Sequence, residues 1–334
     1  MAVTKAGLAL LAGIIFIRMG FGAVGVLSGL LLGFLVPMLG IFRRPWQGVR
    51  LGQLDREILK KLLKYGLPLT GAFILDFIVN SSDRMLLVYL VDSAASGLYA
   101  VGYDLPKRSL WILMMIVNLA AYPLVVRALE QQGPGAARDR LRDIAVILAG
   151  IGLPGAAGLW VLAPNLAGVL VGNEFQDATT GLIPWIALAI LLAGLKAYYL
   201  DLAFQLGRRT MGQVWVLLVA AVLNLGLNLW WIPVYGYMGA AYSTVAAYAA
   251  GFMLSGLMGR RVFPLPLPWL ELGKIVLAVV GMSFALWPFA AHRGAGALAG
   301  QITWGIFIYG ILLLLLNVGQ IRNRLAEVCP GRRS

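Results

Sequence analysis

The chain has 334 residues, of which 60% are hydrophobic and only 12% are charged, and its formal net charge at pH 7 is +13. A soluble domain carries about 25% charged residues, so this composition excludes an ordinary water-soluble fold. The single Cys and single His exclude an internal disulfide and a metal site built from several such ligands. We therefore expect an all-α polytopic membrane protein that needs no metal or other cofactor.

Ten apolar segments, taken in chain order, predict about ten transmembrane helices. Most of them approach or exceed the roughly 20 residues that cross a hydrocarbon core. They lie at residues 5–19, 22–42, 65–91, 96–126, 141–163, 180–204, 211–232, 238–258, 272–290 and 298–320. A transmembrane β-barrel would instead show short segments of alternating hydrophobicity, and the sequence lacks that pattern.

Basic residues are concentrated in alternate connections between these segments. The connections after the second, fourth, sixth and eighth segments, together with the C-terminal tail, hold most of the Lys and Arg residues. The remaining connections hold Asp92, Glu174, Asp177, His292 and Arg293. Because Lys and Arg bias sets orientation, we predict that both termini lie in the cytoplasm and that the chain spans the inner membrane. The same bias accounts for the positive net charge without a nucleic-acid partner.

The connection after the second segment contains an amphipathic stretch at residues 51–64, LGQLDREILKKLLK. Its leucines and Ile58 fall on one helical stripe, and its charged residues lie elsewhere. This pattern is typical of a basic helix on the inner membrane surface. It predicts a linker between two halves of the molecule, although an extension of the next span has the same pattern.

Three of the apolar segments carry charged side chains that lipid would reject. A charge at mid-bilayer costs about 2.5–3.5 kcal/mol on insertion scales, so such residues face protein or a water-filled cavity. These residues are Asp76, Asn80, Asp83 and Arg84 in the third segment, Asp104, Lys107 and Arg108 in the fourth, and Lys196 and Asp201 in the sixth. Helical spacing places Asp76, Asn80 and either Asp83 or Arg84 on one face of the third segment, and the three charged residues of the fourth on another. In the sixth segment, Asp201 shares a stripe with Tyr198 and Gln205.

We interpret these faces as the lining of a hydrated cavity. Its cations, Arg84, Lys107, Arg108 and Lys196, would bind an anionic substrate, because guanidinium and ammonium groups match phosphate oxygens. Its carboxylates are candidates for ion coupling or for pairing with the cations, and they are Asp76, Asp83, Asp104 and Asp201. The alternative is a set of neutralising pairs that fix helix register, such as Asp83 with Lys107, or Asp201 with Lys196 or Arg208.

Three stretches resemble a known family. SDRMLLVYLVDSAASGLYAVGYDL resembles the seventh and eighth helices of polysaccharide-type flippases, and KKLLKYGLPLTGAF resembles the start of that seventh helix. NLGLNLWWIPVYGYMGAAYST, residues 224–244, is similar to a family stretch in which two Asn precede Ile-Pro, Tyr-Gly and Gly-Ala-Ala. The matching positions there, taken as polar and structural positions of the cavity, are Asn224, Asn228, Pro233, Gly236 and Gly239.

The family is that of the lipid-linked oligosaccharide flippases (Wzx-like) of the multidrug/oligosaccharidyl-lipid/polysaccharide (MOP) exporter superfamily. The resemblance implies a MATE-like bundle with an incomplete first lobe, because the chain would begin near the fifth of twelve to fourteen helices. It divides the chain into a first-lobe remnant of two helices (1–42), the basic cytoplasmic linker (43–64), a second lobe of six helices (65–259), and two extra helices with a cytoplasmic tail (260–334).

The resemblance implies a flippase that moves an undecaprenyl-diphosphate-linked oligosaccharide across the inner membrane by alternating access, without acting as an enzyme. The expected partners are this anionic lipid-linked oligosaccharide, membrane lipid, and polysaccharide polymerase or assembly proteins. One alternative is a drug or cation antiporter of the same superfamily, which would favour an acidic cavity. Another is a membrane-embedded glycan polymerase or ligase, which would normally have a sizeable outer loop, whereas the outer connections here are short.

Overall fold

The computed structural model describes residues 2–42, 55–60, 63, 70 and 81–322. These residues form helices and turns, and no strand occurs in the described ranges. The chain divides into two compact units, Met1–Thr70 and Gly71–Ser334.

The first unit contains a helical hairpin. Helix α1 (Ala2–Arg18) and helix α2 (Gly22–Phe42) are joined by a short turn in which Gly20 and Gly22 have positive φ. The two helices cross at Gly13 and Gly29, where a Cβ atom on Gly29 would lie 2.4 Å from the backbone nitrogen of Gly13. Such close crossings at small residues are common between membrane helices. Residues 56–60 of the amphipathic stretch are helical, and most of the rest of that stretch lies outside the described residues.

The second unit is a bundle of antiparallel helices. After α3, which is described at residues 81–90, its helices are α4 (Ser93–Gln132), α5 (Pro134–Leu170), α6 (Gln176–Leu195), α7 (Leu202–Leu206), α8 (Met211–Tyr235), α9 (Tyr237–Gly259), α10 (Trp269–Leu286) and α11 (Ala295–Leu315). A π-helical turn, Lys196–Leu200, continues α6 towards α7.

Length and composition confirm a multi-pass membrane protein. In the described ranges, 7 helical stretches are long and apolar enough to cross a membrane, and two shorter apolar stretches, Gly7–Arg18 and Val24–Pro37, lie in α1 and α2. The predicted segments at 5–19 and 22–42 correspond to α1 and α2, and the last seven correspond to the long stretches. Residues 81–90 belong to the predicted segment at 65–91, most of whose earlier part lies outside the described residues.

Short turns fix the alternating direction of the helices. The side chain of Asp92 caps α4 by accepting a hydrogen bond from the backbone N–H of Ala95 at 2.6 Å. Gly133, with a φ of 88°, joins α4 to α5. Because successive helices run in opposite directions, the turns at Gly133, 207–210 and 260–268 lie at one end of the bundle, which we call the basic end. Exposed arginines are concentrated there, among them Arg140, Arg208 and Arg260.

The core lies between α4, α5, α6 and α9. Met114 of α4 packs against Gly152 of α5 and Gly194 of α6, and a Cβ atom at Gly194 would lie 2.5 Å from its sulfur. Helices α10 and α11 pack on the outside of α5. Large apolar side chains such as Trp230 and Phe284 remain exposed on the outer faces, as expected for surfaces that contact lipid.

Candidate functional site

A buried carboxylate joins four helices of the second unit. Asp83 of α3 is only 2% exposed. Its Oδ2 atom accepts hydrogen bonds from the hydroxyls of Tyr99 and Thr244, both at 2.8 Å, and its Oδ1 atom accepts one from the amide of Asn228 at 2.6 Å. These three donors come from α4, α9 and α8. All three are uncharged, so the carboxylate is held by neutral groups.

A second layer of amides extends this cluster. Asn224 accepts hydrogen bonds at its Oδ1 atom from Ser82 at 3.2 Å and from Asn228 at 3.1 Å. Among the described residues, the Nδ2 atom of Asn224 and the Oδ1 atom of Asn228 have no hydrogen-bond partner. We call this cluster the Asp83 network, and its members are Ser82, Asp83, Tyr99, Asn224, Asn228 and Thr244.

The next residue along the chain belongs to a different cluster. Arg84 donates from Nη2 to Oδ1 of Asp104 at 2.5 Å, and Nη2 of Arg108 lies 3.5 Å from Oδ2 of the same carboxylate. The side chains of Arg84, Asp104 and Arg108 are 37%, 39% and 80% exposed. We call these three residues the Asp104 cluster. Two guanidinium groups share one carboxylate, so the cluster carries a net charge of about +1.

An aromatic pair, Tyr99 and Tyr103, connects the two clusters. The rings of Tyr99 and Tyr103 lie 5.6 Å apart. The guanidinium of Arg84 is 5.7 Å from the centre of the Tyr103 ring, and the ammonium of Lys107 is 5.0 Å from it. Cations at this distance are attracted by the ring face. Tyr103 therefore holds Arg84 and Lys107 near each other, next to the buried Tyr99 of the Asp83 network.

Two grooves meet along α4. The first has a volume of about 680 Å³, is lined by Asp104, Arg108 and Ser109 together with residues of α4 and the end of α5, and is open. The second, of about 420 Å³, lies between α4, α5, α10 and α11 and is almost entirely apolar. Ser109 lines both grooves. An apolar groove thus lies beside a groove that is bordered by the side chains of Asp104 and Arg108.

The remaining predicted cation lies in a separate cluster. Nζ of Lys196 is 2.8 Å from Oδ2 of Asp201, and the two side chains are 14% and 9% exposed. Oδ1 of Asp201 accepts a hydrogen bond from Ser255 at 2.7 Å. This is one of the pairings that the sequence offered as an alternative to cavity lining. The substrate-binding role of Lys196 stays a prediction.

The structure brings several predicted residues together and leaves others undescribed. Asp83, Asn224 and Asn228 share one network, and Arg84, Asp104 and Arg108 share another. Asp76 and Asn80 lie outside the described residues.

The predicted structural positions lie in and around the turn between α8 and α9. Pro233 lies in the last turn of α8, and Gly236 has a φ of 58° between the two helices. A Cβ atom at Gly239 would lie 2.3 Å from the backbone oxygen of Trp231. Close contact between the two helices at this turn therefore requires glycine.

Sequence reasoning missed Tyr99, Thr244 and Ser82. Each is a hydroxyl-bearing residue in an apolar helix, and such residues usually bond to their own backbone or to a neighbouring helix. Their convergence on Asp83 depends on packing among α3, α4, α8 and α9. Among the described residues, no group of three or more His, Cys, Asp or Glu is placed to hold a metal ion.

Comparisons with known proteins identify the family and the fold of the chain. The chain is similar to the solved structure "Lipid II flippase MurJ, inward closed conformation", with a TM-score of 0.78 and 15% sequence identity, over 95% of this chain and 67% of that chain. This similarity confirms the predicted fold of a helical membrane bundle. A comparison with curated proteins found no match. A family model described as "Polysaccharide biosynthesis protein" matches residues 1–180, which is more than half of the 334 residues. The chain belongs to this family of polysaccharide biosynthesis proteins, as the resemblance of its motifs predicts.

Proposed function

We propose that the chain is a flippase that moves an undecaprenyl-diphosphate-linked oligosaccharide across the membrane by alternating access. Membership of a polysaccharide biosynthesis family and the fold of a lipid II flippase support this function. A flippase forms and breaks no covalent bond, so its binding groups need only recognise the charged and apolar parts of the lipid.

The Asp104 cluster is the observation that carries the proposal. Asp104 and Arg108 line an open groove on α4, a helix long and apolar enough to cross a membrane, and Arg84 of α3 pairs with the same Asp104. A charged side chain on a membrane-spanning helix is stable only in contact with protein, water or a counter-ion. Guanidinium groups bind phosphate through paired hydrogen bonds. Arg84 and Arg108, with Lys107 near them, would therefore bind the diphosphate of the carrier lipid or acidic sugars.

The apolar groove beside the cluster suits the rest of such a lipid. Its lining between α4, α5, α10 and α11 offers an apolar surface, which favours the burial of a hydrocarbon chain. Ser109, shared by both grooves, marks the junction between a charged headgroup and its chain. This combination favours a phosphate-bearing lipid over a soluble anion.

Asp83 is the proposed residue for ion coupling, together with Asp76. A buried carboxylate held only by neutral donors changes its charge when it binds or releases a proton or a cation. That change alters the strength of its hydrogen bonds to the surrounding helices. Replacing both Asp76 and Asp83 with Asn is expected to remove the dependence of transport on an ion gradient. Unchanged gradient-driven transport by that double variant would refute the coupling role.

The proposal places the chain in the inner membrane with both termini and the basic end in the cytoplasm. It keeps the predicted division into a first-lobe remnant (1–42), a linker (43–64), a second lobe (65–259) and two extra helices with a tail (260–334). Polysaccharide polymerase or assembly proteins are proposed partners, because the flipped repeat unit must be consumed on the opposite side.

The test is export of surface polysaccharide by cells that depend on this chain. Single changes of Arg84, Lys107 and Arg108 to Ala are expected to reduce export several-fold while the protein still inserts into the membrane. Arg140→Ala is the matched control, because Arg140 is an exposed arginine at the basic end. Wild-type export by all three variants would show that these cations are structural.

A further inference from the structure

We propose that Asp104 is a resident counter-ion that occupies the phosphate-binding position of the Asp104 cluster until a diphosphate displaces it. This inference rests on the proposed function and adds a specific role for the carboxylate. It starts from one arrangement, in which Asp104 accepts from Arg84 with one oxygen and faces Arg108 with the other.

The geometry makes the carboxylate a mimic of a phosphate. Carboxylates and phosphates both bind guanidinium groups through their oxygens. One Asp104 oxygen accepts a hydrogen bond from Nη2 of Arg84 at 2.5 Å, and the other lies 3.5 Å from Nη2 of Arg108. A phosphate bound between the same two guanidinium groups would place its oxygens at these positions. A phosphate and this carboxylate cannot occupy that position together.

Charge favours exchange by a multiply charged anion. Asp104 neutralises only one of the two arginines, so the cluster retains net positive charge. A diphosphate carries more than one negative charge and would satisfy both guanidinium groups. A singly charged anion would gain little over the carboxylate already present. Every anion that binds both arginines must displace the same carboxylate, so Asp104 lowers the affinity of each, and only an anion with enough charge still binds well.

Partial exposure keeps the exchange feasible. The Asp104 side chain is 39% exposed and that of Arg108 is 80% exposed, so solvent weakens the pair relative to a buried one. The side chains of the Lys196–Asp201 pair are only 14% and 9% exposed, so solvent and anions reach that pair much less easily. When the site is empty, the carboxylate neutralises Arg84. When substrate has crossed, the carboxylate competes for the arginines and speeds release.

The experiment measures binding of farnesyl diphosphate to the full-length protein in detergent, with farnesol as the control for the hydrocarbon chain. Asp104→Asn is expected to tighten farnesyl diphosphate binding by roughly two- to fivefold, the range set by the strength of an exposed ion pair. Farnesol binding should not change. Farnesyl monophosphate should gain by a similar factor, because it must displace the same carboxylate. Transport by the same variant should slow, because release becomes slower.

Matched variants separate the outcomes. Asp104→Glu keeps the carboxylate and should keep near-wild-type affinity, and Asp104→Ser provides a second neutral variant if Asp104→Asn does not fold. Asp139→Asn, at an exposed aspartate near the basic end, should change nothing. Weaker or unchanged binding by the neutral Asp104 variants, with Arg84→Ala still weakening it, would overturn the counter-ion role and leave the proposed function intact. Unchanged binding by Arg84→Ala and Arg108→Ala would remove the phosphate site and with it the proposed function.

Discussion

Asn228 donates a hydrogen bond from its side-chain amide to Oδ1 of Asp83 at 2.6 Å, across 145 residues of sequence. Tyr99 and Thr244 complete the shell around the same carboxylate. Four helices therefore share one charged group, and its hydrogen bonds fix how α3 packs against α4, α8 and α9. A group that joins so many elements is well placed to couple its own charge state to a helix movement.

Removal of the Asp83 carboxylate tests how much stability this junction supplies. Asp83→Ala removes an acceptor of three hydrogen bonds and leaves a cavity, and although Asn228 and Thr244 keep second acceptors, a lost hydrogen bond to a charged group costs about 1.5–3 kcal/mol. We expect the variant to lose about 3 kcal/mol or more of unfolding free energy, measured by titration with sodium dodecyl sulfate in mixed micelles. Asp83→Asn keeps the shape and one acceptor oxygen, so it should lose less. Equal losses for the two variants would contradict a hydrogen-bond role.

The two hydroxyl donors of Asp83 should act as a unit. Tyr99→Phe and Thr244→Val each remove one donor to the same Oδ2 atom, and we expect each to cost about 1–3 kcal/mol of unfolding free energy. Because the hydroxyls also lie 3.3 Å from each other, the double variant should depart from additivity by about 0.5 kcal/mol or more. Strict additivity in this double-mutant cycle would indicate that the two hydroxyls contribute independently.

The sequence predicts the helices well because their signal is local. Apolar segments of membrane-spanning length and alternating basic connections predict the spans, and the turns at Gly133 and Gly236 lie within the connections between predicted segments. The burial of each charged side chain is harder to predict from the sequence. Asp83 and Arg84 are adjacent in sequence, yet one side chain is 2% exposed and the other is 37% exposed.

The composition of the candidate site depends on long-range packing. Helical spacing correctly places Asp104 and Arg108 on one face, since they are one turn apart. Lys196 has two interpretations from the sequence, as a cavity cation or as a partner of Asp201, and the structure shows the pairing next to the π turn Lys196–Leu200. In a regular α-helix, residues five apart point in different directions, and the wider turn brings the two side chains closer to one face. Periodicity with a fixed step cannot anticipate such a turn.

The Lys196–Asp201 pair is expected to act as a unit that stabilises the π turn. Removing one partner leaves an uncompensated buried charge, which costs about 3–5 kcal/mol. We therefore expect Lys196→Met to destabilise the protein strongly, and Lys196→Met combined with Asp201→Asn to recover part of the loss. The measurement is the unfolding free energy of the single and double variants. A double variant less stable than both single variants would show that each residue has further partners of its own.

The turn between α8 and α9 offers a matched test of close helix packing. A Cβ atom at Gly239 would lie 2.3 Å from the Trp231 backbone oxygen, whereas nothing lies within 4 Å of a Cβ atom at Gly226 in the same hairpin. Backbone cannot move aside as a flexible side chain can, so Gly239→Ala should cost about 1–3 kcal/mol of unfolding free energy. Gly226→Ala should be neutral or stabilise by about 0.4–1 kcal/mol, because alanine restricts the unfolded chain.

The same pair of variants also reports on the Asp83 network. Thr244 lies on α9 beyond Gly239, and Asn228 lies on α8 before the turn, so a shift between these helices would separate two donors of Asp83. Gly239→Ala should therefore lower polysaccharide export more than Gly226→Ala at equal amounts of membrane-inserted protein. Equal export and equal stability for the two variants would mean that the helices tolerate a wider separation at this turn, and that the Asp83 network does not depend on their close contact.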